Sequence, residues 1–284
     1  MRVLESLKNN WFAYLILIIG VVIMVFPLYM AFIASTHDAA TIGRGIMPLT
    51  PGKYTVENYI RAWRVGSGAN IIGVPVRIML INSLIMALII AIGKILVSLL
   101  SGYAFVYFDF PLRKFFFWLT FITIMLPLEV RIIPTYKVAS DLKLLNSFAG
   151  LTLPLMVSAT GTLLFRQTFL SIPREFLDAA RIDGAGPVRC LTHIVFPLIR
   201  PNLSALFVIL FIYGWNQYLW PILITTDVKM QTLVMGIVKM LGGPEALVDW
   251  NIVMASAIIS MIIPVGIVIL MQRWLIKGLT EVEK

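Results

Sequence analysis

Five long stretches almost free of charged side chains constrain this chain more than anything else in its sequence. Trp11–Thr36, Leu144–Phe165, Pro201–Thr226 and Asn251–Gln272 contain no Asp, Glu, Lys or Arg, and Ile78–Phe108 contains only Lys94. A helix needs about 20 predominantly apolar residues to cross the hydrocarbon core of a bilayer, so each run reads as a span. A sixth run, Phe115–Leu128, is shorter, but apolar character resumes after Glu129 and Arg131 at Ile132, Ile133 and Pro134, which makes it an interrupted span. The composition agrees: 60% of residues are hydrophobic and 13% charged, against roughly 25% charged in a soluble domain. The sequence therefore predicts an all-α, polytopic membrane protein in one transmembrane domain, with spans at about 11–36, 78–108, 115–136, 144–168, 201–226 and 251–274.

The first run follows Arg2 and Lys8, as a secretion signal would, but its apolar core is much longer than the roughly 7–15 residues of a cleavable signal. It is read as a retained helix. The single cysteine, Cys190, excludes an internal disulfide, and two histidines, His37 and His193, make no metal cluster. The net charge of +9 is dispersed between the apolar runs, which suits a membrane surface and leaves no basic stripe for nucleic acid. No phosphate-loop pattern occurs, because Gly93-Lys94 is followed by Ile95 within an apolar run. With no nucleophile–base pair either, the residues point to no catalytic site, no metal site and no cofactor held by this chain.

Lys and Arg are divided almost evenly across the six-span layout, so orientation rests on two clusters. Arg113-Lys114 fill a very short loop, and Arg166, Arg174, Arg181, Arg189 and Arg200 crowd the segment after the fourth run. Both lie inside if the N- and C-termini are cytoplasmic. Trp11, Trp118, Trp220, Trp250 and Trp274 fall near predicted span ends, where an amphipathic indole is most comfortable. The stretch from His37 to Arg77, with Pro48, Pro51, Gly52, Gly66, Gly68 and Pro75, is the longest polar loop and is expected to fold outside the membrane.

A second polar segment, 171–198, is far longer than a turn between two spans requires. Ser171 and Pro173 form a helix opening, with Glu175 and Asp178 in the early turns where negative charge suits the helix dipole. Gly184 is a natural stop, and Gly186-Pro187 restart a second helix expected to run until Pro197. Arg174, Asp178 and Arg181 have the spacing to pair along one side, while Phe176, Ala179, Ala180 and Ile182 offer apolar and small surface for another protein's approach.

These residues resemble the cytoplasmic signature of ABC-importer permeases. Asp178-Ala179-Ala180 is followed after three residues by Gly184, then after nine by Ile194, with Phe196-Pro197 next but one. The family pattern has Glu and Leu where this chain has Asp178 and Phe196. The surrounding Leu164–Pro201 is similar to the carbohydrate-uptake branch that contains the maltose permeases. Leu126–Met156 and Phe211–Asp227 resemble the permeases of sn-glycerol 3-phosphate importers within it. The resemblance implies that Phe176–Gly184 is a coupling helix seated in a groove of a separate ATPase, with Glu175, Phe176, Asp178, Ala179, Ala180, Gly184, Ile194 and Pro197 as its coupling residues. It further implies a second, homologous permease, two ATPase copies that bind ATP and Mg, and an extracytoplasmic solute-binding protein. The bilayer would be a bacterial plasma membrane and the cargo glycerol 3-phosphate or its phosphodiesters.

Several residues within spans are candidates for the substrate path. An ammonium such as Lys94 mid-membrane costs about 2.5–3.5 kcal/mol on insertion scales, so something must compensate it. It reads either as a cationic station for a phosphate or as a structural partner of a neighbouring carboxylate or carbonyl. Glu129 and Arg131, between Pro127 and Pro134, read as a broken-helix site or as a local ion pair. Trp215, Asn216, Gln217 and Tyr218 put polar groups into the fifth span that lipid does not satisfy, so they face the path or the partner permease. A neutral-sugar permease and an ion-driven carrier are the rival readings, and the segment 171–198 argues against the carrier, which has no ATPase to dock.

Overall fold

In the computed structural model the described residues are 11–45, 47–67, 73–123, 128–242 and 248–280, and among them the regular structure is all helical. In chain order the helices are α1 (Trp11–Ser35), α2 (Ala39–Gly43), α3 (Thr55–Arg64), α4 (Val76–Tyr107), α5 (Arg113–Ile122), α6 (Leu128–Asp141), α7 (Phe148–Leu155), α8 (Ala159–Leu170), α9 (Arg174–Ile182), α10 (Pro187–Leu198), α11 (Arg200–Trp215), α12 (Leu219–Ile224), α13 (Leu233–Met240) and α14 (Trp250–Thr280). Three are long and apolar enough to cross a membrane unbroken: α1, α4 and the Trp250–Trp274 part of α14. The pair α7 and α8, bent by 50°, and the pair α10 and α11, bent by 81°, each reach the same criterion together.

The breaks have local causes. Ser147 and Ser158 cap α7 and α8, accepting hydrogen bonds from the amides of Gly150 (3.0 Å) and Gly161 (3.1 Å), so a new helix starts at each serine. Ile199 leaves helical geometry at φ −93° and ψ 2° between α10 and α11, and Pro201 follows at the start of α11 without an amide donor. The fifth apolar run is not one helix either: α11 stops at Trp215 and α12 begins at Leu219. The run around 115–136 appears as α5 and α6, with residues 124–127 outside the described residues.

The chain divides into two compact units, residues 1–77 with 237–261 and residues 78–236 with 262–284. In the first, the polar stretch after α1 is folded as expected. Thr36 accepts from the amides of Gly52 (Oγ1, 2.7 Å) and Tyr54 (carbonyl, 3.0 Å). The Asn58 amide donates to the carbonyls of Ser35 (2.9 Å) and His37 (2.7 Å), and its oxygen accepts from Asn251 (2.8 Å). Arg61 and Asp249 form an ion pair of 2.8 Å beside this network. The buried Asn58 amide is tolerated because both its ends find partners, whereas the Asn251 Oδ1 has none among the described residues.

The second unit is built on α4. Lipid tails remove the hydrophobic drive for helix association, so close packing and hydrogen bonds hold the helices together. Small residues permit that approach: a β-carbon on Gly214 of α11 would stand 3.0 Å from the Ala87 Cα, and one on Gly161 of α8 would stand 2.5 Å from the Ser98 hydroxyl. Met86 and Ile90 of α4 join Leu151, Leu155, Trp220 and Ile224 in one core, and the Trp220 indole donates to the Gly150 carbonyl (3.0 Å). Asn82 of α4 donates to the carbonyls of Lys229 (2.8 Å) and Gln231 (2.9 Å), and Ser83 accepts from the Leu233 amide (2.7 Å). Asn146 closes the unit at the end of α12, accepting from the amides of Thr226 (2.7 Å) and Asp227 (2.9 Å).

Candidate coupling and translocation site

The helix–turn–helix over 171–198 is present and its first helix is amphipathic. Leu177 and Ala180 of α9 are buried, while Glu175, Phe176, Asp178 and Ala179 face out. Ala180 is therefore a packing residue within the subunit. Larger apolar groups are exposed along the segment: Phe176 is 53% exposed, Ile182 86% and Val188 74%.

The turn is set by hydrogen bonds that end α9. The Gly184 amide donates to the Arg181 carbonyl (3.0 Å) and the Ala185 amide to the Ala180 carbonyl (2.9 Å), with Gly184 at φ +76°. This pairing is the Schellman arrangement, in which the left-handed position favours glycine. Asp178 pairs with Arg181 at 3.5 Å, and no Arg174–Asp178 ion pair occurs among the described residues. Ser171 does not open α9: it ends α8, its hydroxyl donating to the Thr168 carbonyl (2.8 Å), and Pro173 occupies the cap of α9 without a side-chain bond.

The second helix departs from expectation as well. It passes through Pro197 and ends at Leu198, because residues 191–195 widen into a π-turn in which the Phe196 amide reaches the Leu191 carbonyl. Ile194 sits in that turn, half-buried, and Pro197 is exposed on the following one. A widened turn of this kind frequently marks a functional bend.

Two tyrosines that sequence reasoning did not single out anchor the segment. The Tyr103 hydroxyl donates to the Pro187 carbonyl (3.0 Å) at the start of α10, and the Tyr107 hydroxyl to the Phe169 carbonyl (2.9 Å) at the end of α8. Both lie in the last turns of α4, and their rings pack on Phe169 at 6.1 and 5.9 Å. These two bonds tie the start of α10 and the end of α8 directly to α4. Nothing in a one-dimensional pattern separates these tyrosines from the other aromatics of an apolar run.

Within the span, Lys94 is buried, 7% exposed, with Nζ 3.8 Å above the centre of the Tyr213 ring of α11. A desolvated cation–π contact gives about 2 kcal/mol, which offsets most of the insertion cost of the ammonium. Among the described side chains no carboxylate lies within ion-pair distance of Lys94. Arg131 on α6 is exposed. The Glu129 side chain lies outside the described residues.

The polar cluster after α11 separates into different roles. Trp215 is buried and stacked on Phe211 at 5.7 Å, which makes it a core residue. Gln217 donates to the Tyr213 carbonyl (3.2 Å), and Asn216 and Tyr218 are exposed in the break. Lys94 and Tyr213 are thus brought together, with Gln217 bracing the backbone beneath the ring, while Arg131 is exposed.

Comparison with known proteins accounts for this arrangement. Residues 94–281 match the family model described as binding-protein-dependent transport system inner membrane component. The sn-glycerol-3-phosphate transport system permease protein UgpE of Rhizobium meliloti (strain 1021) is 53% identical over 276 residues, 97% of this chain and 98% of that protein. Its counterpart in Agrobacterium fabrum (strain C58) is 54% identical over 272 residues, 96% of each chain. Among solved structures, a bacterial ABC transporter involved in the import of the acidic polysaccharide alginate has a chain with a TM-score of 0.77 at 21% identity, covering 94% of this chain and 96% of its own. That likeness concerns the fold alone. With the spans, the bent helix pairs and the family match in agreement, this chain belongs to the inner-membrane components of binding-protein-dependent transport systems.

Proposed function

We propose that this chain forms half of the transmembrane pathway for sn-glycerol 3-phosphate and couples it, through α9 and α10, to ATP hydrolysis in a separate ATPase. The observation that carries the cargo is identity above 50%, over nearly the full length, to permease proteins of sn-glycerol-3-phosphate transport systems. The buried Lys94, its Nζ above the Tyr213 ring, supports it, because a phosphate monoester is an anion and a neutral sugar has no use for a desolvated ammonium. ATP and Mg belong to two copies of the partner ATPase. A homologous permease completes the pathway, and an extracytoplasmic solute-binding protein delivers the cargo. The exposed Phe176, Ile182 and Val188 are available to the ATPase groove, and in this reading α9 and both chain termini lie on the cytoplasmic side of the bacterial plasma membrane.

The test is ligand-stimulated ATP hydrolysis by the purified complex with its binding protein. Glycerol 3-phosphate is expected to stimulate hydrolysis and a neutral disaccharide to leave it at the basal rate. Stimulation by the disaccharide alone would overturn the cargo while leaving the coupling role standing. The tyrosine anchor has its own consequence. Tyr103→Phe keeps the ring and deletes one hydrogen bond of about 1 kcal/mol, so uptake per ATP hydrolysed is expected to fall about fivefold in proteoliposomes.

A further inference from the structure

We propose that a cleft between the N-terminal end of α5 and α8 holds the phosphate of an anionic phospholipid. The cleft, of about 320 Å³, is lined by Phe105, Arg113, Lys114, Phe117, Trp118 and Arg166: three cations, three aromatic rings and no carboxylate. The Arg166 guanidinium lies 4.6 Å from the centre of the Phe117 ring, which holds it at the wall. Arg113 pairs with Asp109 at 2.8 Å, but the Asp109 side chain is 96% exposed, and a pair so wetted neutralises little. Lys114 and Arg166 have no ion-pair partner among the described residues.

Helix polarity adds to the imbalance. The first turn of α5 contains Arg113 and Lys114 and no acidic residue, and its cap, Leu112, offers no side-chain acceptor. A helix N-terminus carries partial positive charge, so cations placed there repel it and its unsatisfied amides. A bound anion is attracted by each of these groups and so offsets their mutual repulsion.

The apolar surroundings select a lipid over a free ion. No residue of α5 is buried, and Phe115, Phe116, Trp118 and Leu119 are exposed, so the cleft rim formed by Trp118 continues into a surface suited to acyl chains. Tryptophan at the rim and basic groups behind it are the composition expected at headgroup level, where pockets between spans take lipid phosphates. Assignment to the cytoplasmic leaflet rests on the orientation proposed for α9. The recognition of the phosphate does not.

The assembled complex, purified into nanodiscs of phosphatidylcholine with phosphatidylglycerol and examined by native mass spectrometry, provides the test. The unaltered complex is expected to retain phosphatidylglycerol, and the Lys114→Gln/Arg166→Gln variant to retain about tenfold less. Equal retention would overturn the proposal. So would displacement of the lipid by millimolar inorganic phosphate, which assigns the cleft to a free anion, or retention only after the ATPase is stripped away, which assigns it to that partner. Should the double variant fail to assemble, Lys114→Gln, altering one exposed side chain, decides alone: reduced retention supports the site and unchanged retention refutes it. The readout needs neither substrate nor ATP, so it stands or falls separately from the cargo.

Discussion

Replacing Gly184 with leucine is expected to abolish substrate-stimulated ATP hydrolysis while leaving membrane insertion intact. The residue sits at φ +76°, where a side chain costs about 1–2 kcal/mol, and its amide is one of the two that close α9. A β-carbon there would meet no atom within 4 Å, so the damage comes from the backbone and not from a clash within the subunit. Relief of the strain re-aims α9 against α10, which displaces the exposed Phe176 and Ile182 relative to Val188. Gly184→Ala carries similar strain with little bulk and is expected to retain a fraction of the activity. Hydrolysis by the leucine variant at the normal stimulated rate, measured on the reconstituted complex, would refute the coupling role.

The second large effect is expected at Lys94. Lys94→Gln keeps a polar end on a stem one atom shorter but removes the charge, and a hydrogen bond to a charged group is worth about 1.5–3 kcal/mol. Uptake of labelled glycerol 3-phosphate into reconstituted vesicles should therefore fall by at least about tenfold. Membrane insertion should persist, because the amide demands less compensation than an ammonium in the same buried place. Unchanged uptake would remove Lys94 from the path and leave the Tyr213 contact as a structural pairing.

These two residues show how differently sequence and structure contribute. Gly184 was recognisable from the chain alone, because the stop of a short amphipathic helix and the tolerance of glycine for a left-handed turn are both local matters. Lys94 was recognisable as a problem, a charge inside an apolar run, but not as a solution. Its compensating ring, Tyr213, lies on another helix more than a hundred positions away, among aromatics that look alike in sequence.

The same division runs through the coupling segment. Its helix start near Pro173, its turn and its restart at Pro187 follow from caps and breakers. Which alanine faces inward does not: Ala180 is buried beneath α9 and Ala179 is not, a choice made by the rotation of α9 over the base of α4 and α8. The π-turn that carries α10 through Pro197 is likewise invisible to a rule that ends helices at proline, because it supplies a different amide-to-carbonyl register around the missing donor.

The sequence by itself determined that this chain lives in lipid as a set of helices, since hydrocarbon leaves a backbone no other way to satisfy its polar groups in a segment of that length. It also placed the polar elbow and its glycine. Only the tertiary structure decided where spans bend, which aromatic answers Lys94 and how Tyr103 and Tyr107 clasp the elbow to α4. Solvent preference is a property of each segment, read residue by residue. Partnership is a property of segments brought together, and it exists only after the chain has packed.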